Sequence, residues 1–448
     1  MQPPHIWRIE MRKAIIFIIL FLAGCATTAD PRLLASKAVD AVPPSAPFID
    51  GIYRLEGTGV THIMLLFPGG TILDRKGREG TAALLCSSIV TGGAKDIGPE
   101  EMDRLLDSLA IDISVSPQRD YTIVSMSFLP DVSDKAVKLL IDIIKSPRLD
   151  PKRVELVRGI MKDGIIRKDD EAIEQAYTIY RRHYYRDDPR AEEPTVKSVD
   201  AVTREGMLEI HKEIFSSQPL IGIIGSLDEK NTRQLRNEFP GKFLTSKLSY
   251  PPNPDYGSFT GQANQRHCVV LMIHKAPTMK DASYAATVAA DLIIGSGGFN
   301  SVLVKEVRTK AGLAYSADSF YQAAPLWGAF GIIVITEPKE LQNVKDAVAR
   351  TFSLIEKGIT DEEVSWAKST IINRAATEYN TPGGIISYSM GNVFQDIPPD
   401  FDKNFLAHVA GLTLTDVQKA AASLIKGPWV EVTINPPAPG QETPPDSK

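Results

Sequence analysis

The sequence predicts an α+β protein built from two tandem, homologous α/β-roll domains, each a mostly antiparallel sheet covered by helices. Three observations carry this. At 448 residues the chain is long enough for two domains, and 43% hydrophobic with 23% charged residues is ordinary for a globular protein with a sizeable core. A polar stretch rich in Pro, Gly, Ser and Asn, TSKLSYPPNPDYGSFTGQANQ at 245–265, divides it near the middle. Finally, the order of elements before that stretch recurs after it, with a Thr-Gly-Gly at 91–93 answered 205 residues later by Ser-Gly-Gly at 296–298.

In the first half, IYRLEG at 52–57 and THIMLLFPGG at 61–70 suit strands, and GTAALLCSSIVTGG at 80–93 suits a helix ended by Gly92 and Gly93. A helix at 99–109 and the strand pair IDISVSP and YTIVSMSFLP follow. Residues 134–145 and 151–167 repeat apolar side chains at three- and four-residue intervals, which predicts helices with one buried face. Helices at 171–184 and 203–216, the strand LIGIIG and a helix near 228–238 complete the unit. The second half restarts with the strand HCVVLMIHKA and a helix at 284–294. The strand pair LAYSADSF and WGAFGIIVIT, helices at 338–357 and 361–378, and a last strand WVEVTINP then follow. The expected domains are 47–244 and 266–436, joined by the linker 245–265, with strands forming one sheet face and helices covering the other.

Both ends read differently. Met11-Arg-Lys, an apolar run from Ala14 to Leu22 and then Ala23-Gly24-Cys25 form a charged region, a hydrophobic region and a small-residue cleavage site. The run is too short to span a bilayer. This segment resembles a bacterial lipoprotein signal, which implies cleavage after residue 24 and acylation of Cys25. With Ala26 rather than an aspartate next, the resemblance implies an outer-membrane anchor facing the periplasm. Residues 25–46, with Pro43 and Pro44, then read as a flexible tether, and 437–448 as a disordered tail. The net charge of −5 becomes −7 once the leader's three basic residues and one acid are removed. With no long basic run, nucleic acid is excluded as a partner. Cys86 and Cys268, the cysteines left besides Cys25, lie far apart and read as buried small apolar residues.

The most informative stretch is 295–320, GSGGFNSVLVKEVRTKAGLAYSADSF. Gly295, Gly297 and Gly298 allow a tight turn or close approach of another chain, and Asn300 or Ser301 can cap a following helix. Phe299, Val302, Leu303 and Val307 recur at helical spacing, Gly312 sits where a helix ends, and a strand begins at Leu313. Arg308 and Tyr315 are thereby set to converge across the turn. A guanidinium offers a fork of donors to carbonyl or carboxylate oxygens, and a phenol can donate to a developing oxyanion. Taken alone, the pair also fits a helix-terminal arginine and a half-buried strand aromatic.

This stretch resembles the second-domain signature of the pitrilysin/insulinase family of zinc metallopeptidases, in which an arginine and a tyrosine so placed line the substrate pocket. The order of elements over about 47–436 resembles the family's two-domain half-clamshell subunits. The resemblance implies that Arg308 and Tyr315, with the Gly297–Gly298 turn, bind substrate. It also implies a zinc motif H-x-x-E-H on the first helix, two histidine ligands with a glutamate base, and a further acid some seventy-odd residues on. Ala83, Cys86 and Ser87 stand in those places, and at most Asp163 remains of the later ligand. No catalytic residue, metal or other cofactor is therefore expected in this chain. His62, His183, His211, His267, His274 and His408 offer no substitute, because no two lie four apart around an acid on a helix. Cys86 has no histidine nearby in the sequence to make it a nucleophile.

The reading is then a zinc-free, substrate-binding subunit of a periplasmic heterodimeric peptidase. A zinc-bearing sister subunit and a peptide or unfolded protein would be its partners. A noncatalytic scaffold on the same fold is the alternative, and a stand-alone metallopeptidase would need ligands not visible in the sequence.

Overall fold

The computed structural model describes residues 48–49, 52–55, 57, 59–239, 251–378 and 381–437. The leader, Cys25, the tether and the tail from residue 438 lie outside the described residues.

The first repeat runs β1 (Phe48–Ile49), β2 (Ile52–Leu55), β3 (Thr61–Pro68), α1 (Thr81–Thr91), α2 (Pro99–Ser108), β4 (Asp112–Pro117) and β5 (Tyr121–Phe128). It continues through α3 (Ser133–Lys145), α4 (Pro151–Asp169), α5 (Ala172–Tyr184), α6 (Val196–Asp200), α7 (Arg204–Phe215), β6 (Leu220–Ile224) and α8 (Glu229–Glu238). The second repeat contains β7 (Gly257–Gln262), β8 (Cys268–Lys275), α9 (Tyr284–Asp291), α10 (Val302–Val304), β9 (Ala314–Ala324) and β10 (Trp327–Thr336). Helices α11 (Leu341–Lys357), α12 (Asp361–Glu378), α13 (Pro382–Phe394), α14 (Phe401–Gly411) and α15 (Leu414–Leu424) precede β11 (Val430–Asn435).

The sheets have matching topologies. The first is ordered β1-β2-β6-β3-β5-β4 and the second β7-β11-β8-β10-β9. In each, one pair is parallel, β2 with β6 and β7 with β11, and the other pairings are antiparallel. The α+β fold of two mostly antiparallel rolls is thus as expected.

Two features differ from the sequence reading. The stretch 245–265, expected as a linker, carries β7. Its exposed glycine-rich edge residues show little of the apolar alternation that marks a half-buried strand. The domains are also not self-contained. Helix α5 lays Ala172, Ala176, Tyr180 and Tyr184, spaced four apart, against Leu271, Ile273, Val430 and Val432 of the second sheet. Helix α13 returns the exchange, packing Ile386, Met390 and Phe394 on Tyr53, Leu66, Leu220 and Ile224 of the first. Each sheet is therefore covered on both faces, once by its own helices and once by a helix from the other repeat. This explains why β6, LIGII, is buried at every residue. Each large apolar side chain so buried contributes roughly 1.5–3 kcal/mol, so the exchange ties the repeats together strongly.

Candidate functional site

Helix α1 is the place to look for a metal. Its buried residues Leu84, Leu85 and Ile89 fix it against the first sheet. The N-terminus is held by Asp74, whose carboxylate accepts from the backbone N–H groups of Gly80 (2.7 Å) and Ala82 (2.8 Å). Burial nonetheless pushes the Asp74 carboxyl up to about 6, those two bonds offsetting it only in part. On the helix, Ala83 is half-buried, Ser87 is exposed, and Cys86 is sealed in the core at 1% exposure. Burial, reinforced by Asp74, pushes the Cys86 thiol far above its ordinary range, so it is neither a nucleophile nor a thiolate ligand at neutral pH. Asp163 is exposed on α4, which packs against α1.

These residues do not fit a zinc ion. Alanine has no donor atom, serine offers a neutral hydroxyl, and one carboxylate is not a shell. Among the described residues no group of three or more His, Cys, Asp or Glu could hold a metal. Three histidines are engaged elsewhere: His211 Nε2 lies 2.6 Å from the Ile144 carbonyl, His274 Nε2 lies 2.6 Å from that of Leu424, and His183 stacks on Phe259; His62 and His408 are exposed. Cys268 is buried and free, as expected.

The second repeat presents its site around the glycine turn. Helix α9 runs straight into a π-helical turn, Leu292–Ser296. After a 3₁₀ turn and α10, a second π turn, Lys305–Thr309, replaces the regular helix expected there. Ser301 precedes α10, but its hydroxyl donates to the Gly298 carbonyl (2.7 Å) instead of capping the helix. Gly312 ends the segment at φ +62°, donating to the Arg308 carbonyl (3.0 Å). Gly298 is left-handed at φ +63° with open space beside it. Gly297 is different: a Cβ there would lie 2.2 Å from the Trp366 ring and 2.4 Å from the Leu292 carbonyl oxygen, so its small size serves packing within this chain.

Arg308 and Tyr315 are both exposed. The Arg308 guanidinium lies 5.2 Å over the ring of Phe299, which is 62% exposed and not on a buried helix face as its spacing suggested. The Tyr315 hydroxyl donates to Glu337 Oε1 (2.9 Å), and its ring meets that of His267 edge-on at 4.7 Å. Glu337 is also paired with Lys339 (2.8 Å). The π turn bearing Arg308 packs on β9, which carries Tyr315, yet each side chain has its own neighbours.

The insulinase (peptidase family M16) model matches residues 55–190, and the peptidase M16 inactive-domain model matches 201–371. The chain belongs to the insulinase family. The non-peptidase homolog YmxG of Helicobacter pylori is 22% identical over 416 residues, covering 90% of this chain and 94% of its own. The crystal structure of a peptidase M16 inactive domain from Pseudomonas fluorescens superposes with a TM-score of 0.75 at 19% identity, over 86% of this chain and 95% of its own. The ferredoxin protease FusC, in complex with Arabidopsis ferredoxin, superposes at 0.66 and 12% identity, over 98% of this chain and 51% of its own. This chain is a peptidase-like, noncatalytic member of the family.

Sequence reasoning passed over Glu337, Trp366 and Asp291. Asp291 had a signal, because the 205-residue offset that relates the two glycine turns sets Val288, Asp291 and Leu292 opposite Ala83, Cys86 and Ser87.

Proposed function

We propose that the chain is the zinc-free, substrate-gripping subunit of a heterodimeric peptidase, lipid-anchored through Cys25 on the periplasmic side of a bacterial outer membrane. A sister subunit bearing H-x-x-E-H would supply the metal chemistry. The observation that carries the reading is the contrast between the repeats: the metal positions are blank, while Arg308 and Tyr315 stand exposed on adjoining elements beside the glycine turn. Arg308 would hold a peptide carbonyl through its fork of donors. Tyr315 would donate its hydroxyl to the substrate, exchanging Glu337 for it. A similar fold bound to a protein, in FusC with ferredoxin, supports a polypeptide as the substrate class.

Mixing the chain with a family member from the same cell that carries H-x-x-E-H tests this. Chelator-sensitive peptide cleavage should appear on mixing, and Arg308→Ala should lower it about tenfold or more without changing complex formation. Unchanged cleavage by Arg308→Ala would remove the assigned role. The Glu337 bond, which occupies the Tyr315 donor in the free chain, favours one other reading, a scaffold that associates without hydrolysis.

A further inference from the structure

The second repeat holds a cavity of about 360 Å³ where the first carries its vestigial metal motif. Its walls come from α9 and the π turn, α12, α13 and α14. Val288, Asp291 and Leu292, the counterparts of Ala83, Cys86 and Ser87, all line it. The π turn widens the end of the helix at that point, and such turns recur at ligand sites. One wall is aromatic: Tyr284 lies 5.8 Å from Phe401 and 5.2 Å from Phe405 between ring centroids, and those two rings are parallel within 2°. Beside that wall stands Asp402, next in the chain to Phe401, whose carboxylate accepts from the Tyr388 hydroxyl. Asp291 is buried behind, its carboxylate accepting from Ser319 (2.5 Å), Ser296 and the backbone N–H of Tyr321 and lying within the field of Arg374. Among the lining residues the one full positive charge is Arg374, exposed at the rim, so the walls carry two carboxylates against one guanidinium.

We propose that this cavity binds a small amphipathic amine, its ammonium on Asp402 and its apolar body against Tyr284, Phe401 and Phe405. The volume suits a small ligand, and aromatic faces next to a carboxylate attract a cation with a hydrophobic body. Burial raises the Asp402 carboxyl above its ordinary range, Tyr388 only partly offsetting it, and an ammonium seated beside it would favour its charged form. Neither Arg308 nor Tyr315 takes part, and the site does not depend on a peptidase partner.

The test is calorimetric titration of the purified chain at neutral pH with 2-phenylethylammonium, and with 2-phenylethanol and 3-phenylpropionate as neutral and anionic bodies of like size. The amine should bind saturably, with a Kd on the order of millimolar or tighter, and the alcohol and the acid about tenfold more weakly or worse. Asp402→Asn, which keeps an acceptor for Tyr388, should weaken the amine about tenfold while leaving the alcohol unchanged. Val288→Phe, which fills the space, should abolish binding of all three while melting as a folded protein. The proposal is overturned by a folded wild type that shows no saturable amine binding at about 10 mM, by equal binding of amine and alcohol, or by Asp402→Asn binding the amine as the wild type does. Should Val288→Phe unfold, Asp402→Asn decides alone.

Discussion

Helices α1 and α9 occupy the same place in their repeats, α1 ending directly in a Gly-Gly turn and α9 reaching its own through the π turn. The positions of the metal motif on α1 are nearly inert, an alanine, a sealed cysteine and an exposed serine, and the half-buried Asp74 is spent on the helix N-terminus. The corresponding face of α9 keeps a buried acid, Asp291, continues into a π turn and fronts a cavity. The difference teaches that the fold of this helix depends on its sheet-facing residues, such as Leu84, Leu85 and Ile89, and not on a metal.

The comparison breaks most visibly at the glycine turns. Gly297→Val should cost about 3 kcal/mol or more in denaturant unfolding, because the new side chain meets Trp366 and the Leu292 carbonyl with no room to yield. At the matching Gly92, a Cβ would approach the Ser88 carbonyl oxygen to 2.7 Å, a less severe contact, so the same change there should cost less. Equal costs would mean that Trp366 does not pack as described.

Asp291 gives a smaller, pH-dependent effect. Burial pushes its carboxyl up to about 6, although three hydrogen bonds pull the other way. Because the folded state then holds the proton more tightly than the unfolded chain, stability from this group falls as pH rises from about 4 to about 6 and is constant above that. Asp291→Asn should remove up to about 3 kcal/mol of that decline, read as melting curves taken across the range. Asp74, pushed up to about 6, and Asp318, pushed up to about 7, titrate in the same range and keep part of the overall decline; a variant with the whole wild-type pH profile would show that Asp291 does not contribute to it.

Much of this was legible in the sequence. Strand alternation, the paired apolar helices and the recurrence of Thr-Gly-Gly as Ser-Gly-Gly disclosed the duplication, and Ala83, Cys86 and Ser87 disclosed the missing motif. What escaped has physical reasons. An apolar stripe such as 172, 176, 180 and 184 shows that a helix is buried but not on which sheet, so the exchange of α5 and α13 was invisible. Edge strand β7 buries too little to show a period. Both π turns pack on β9, the first also on α12 and the second on α11, and hydrogen bonds such as Tyr315 to Glu337 join residues 22 apart, beyond any local pattern.

The central claim, that this chain has the family's fold without its metal site, is tested most directly by zinc content and peptide hydrolysis of the purified chain alone. Less than about 0.1 zinc per chain, with no chelator-sensitive cleavage, is the result predicted from Ala83, Cys86 and Ser87. Stoichiometric zinc together with cleavage by the isolated chain would contradict it.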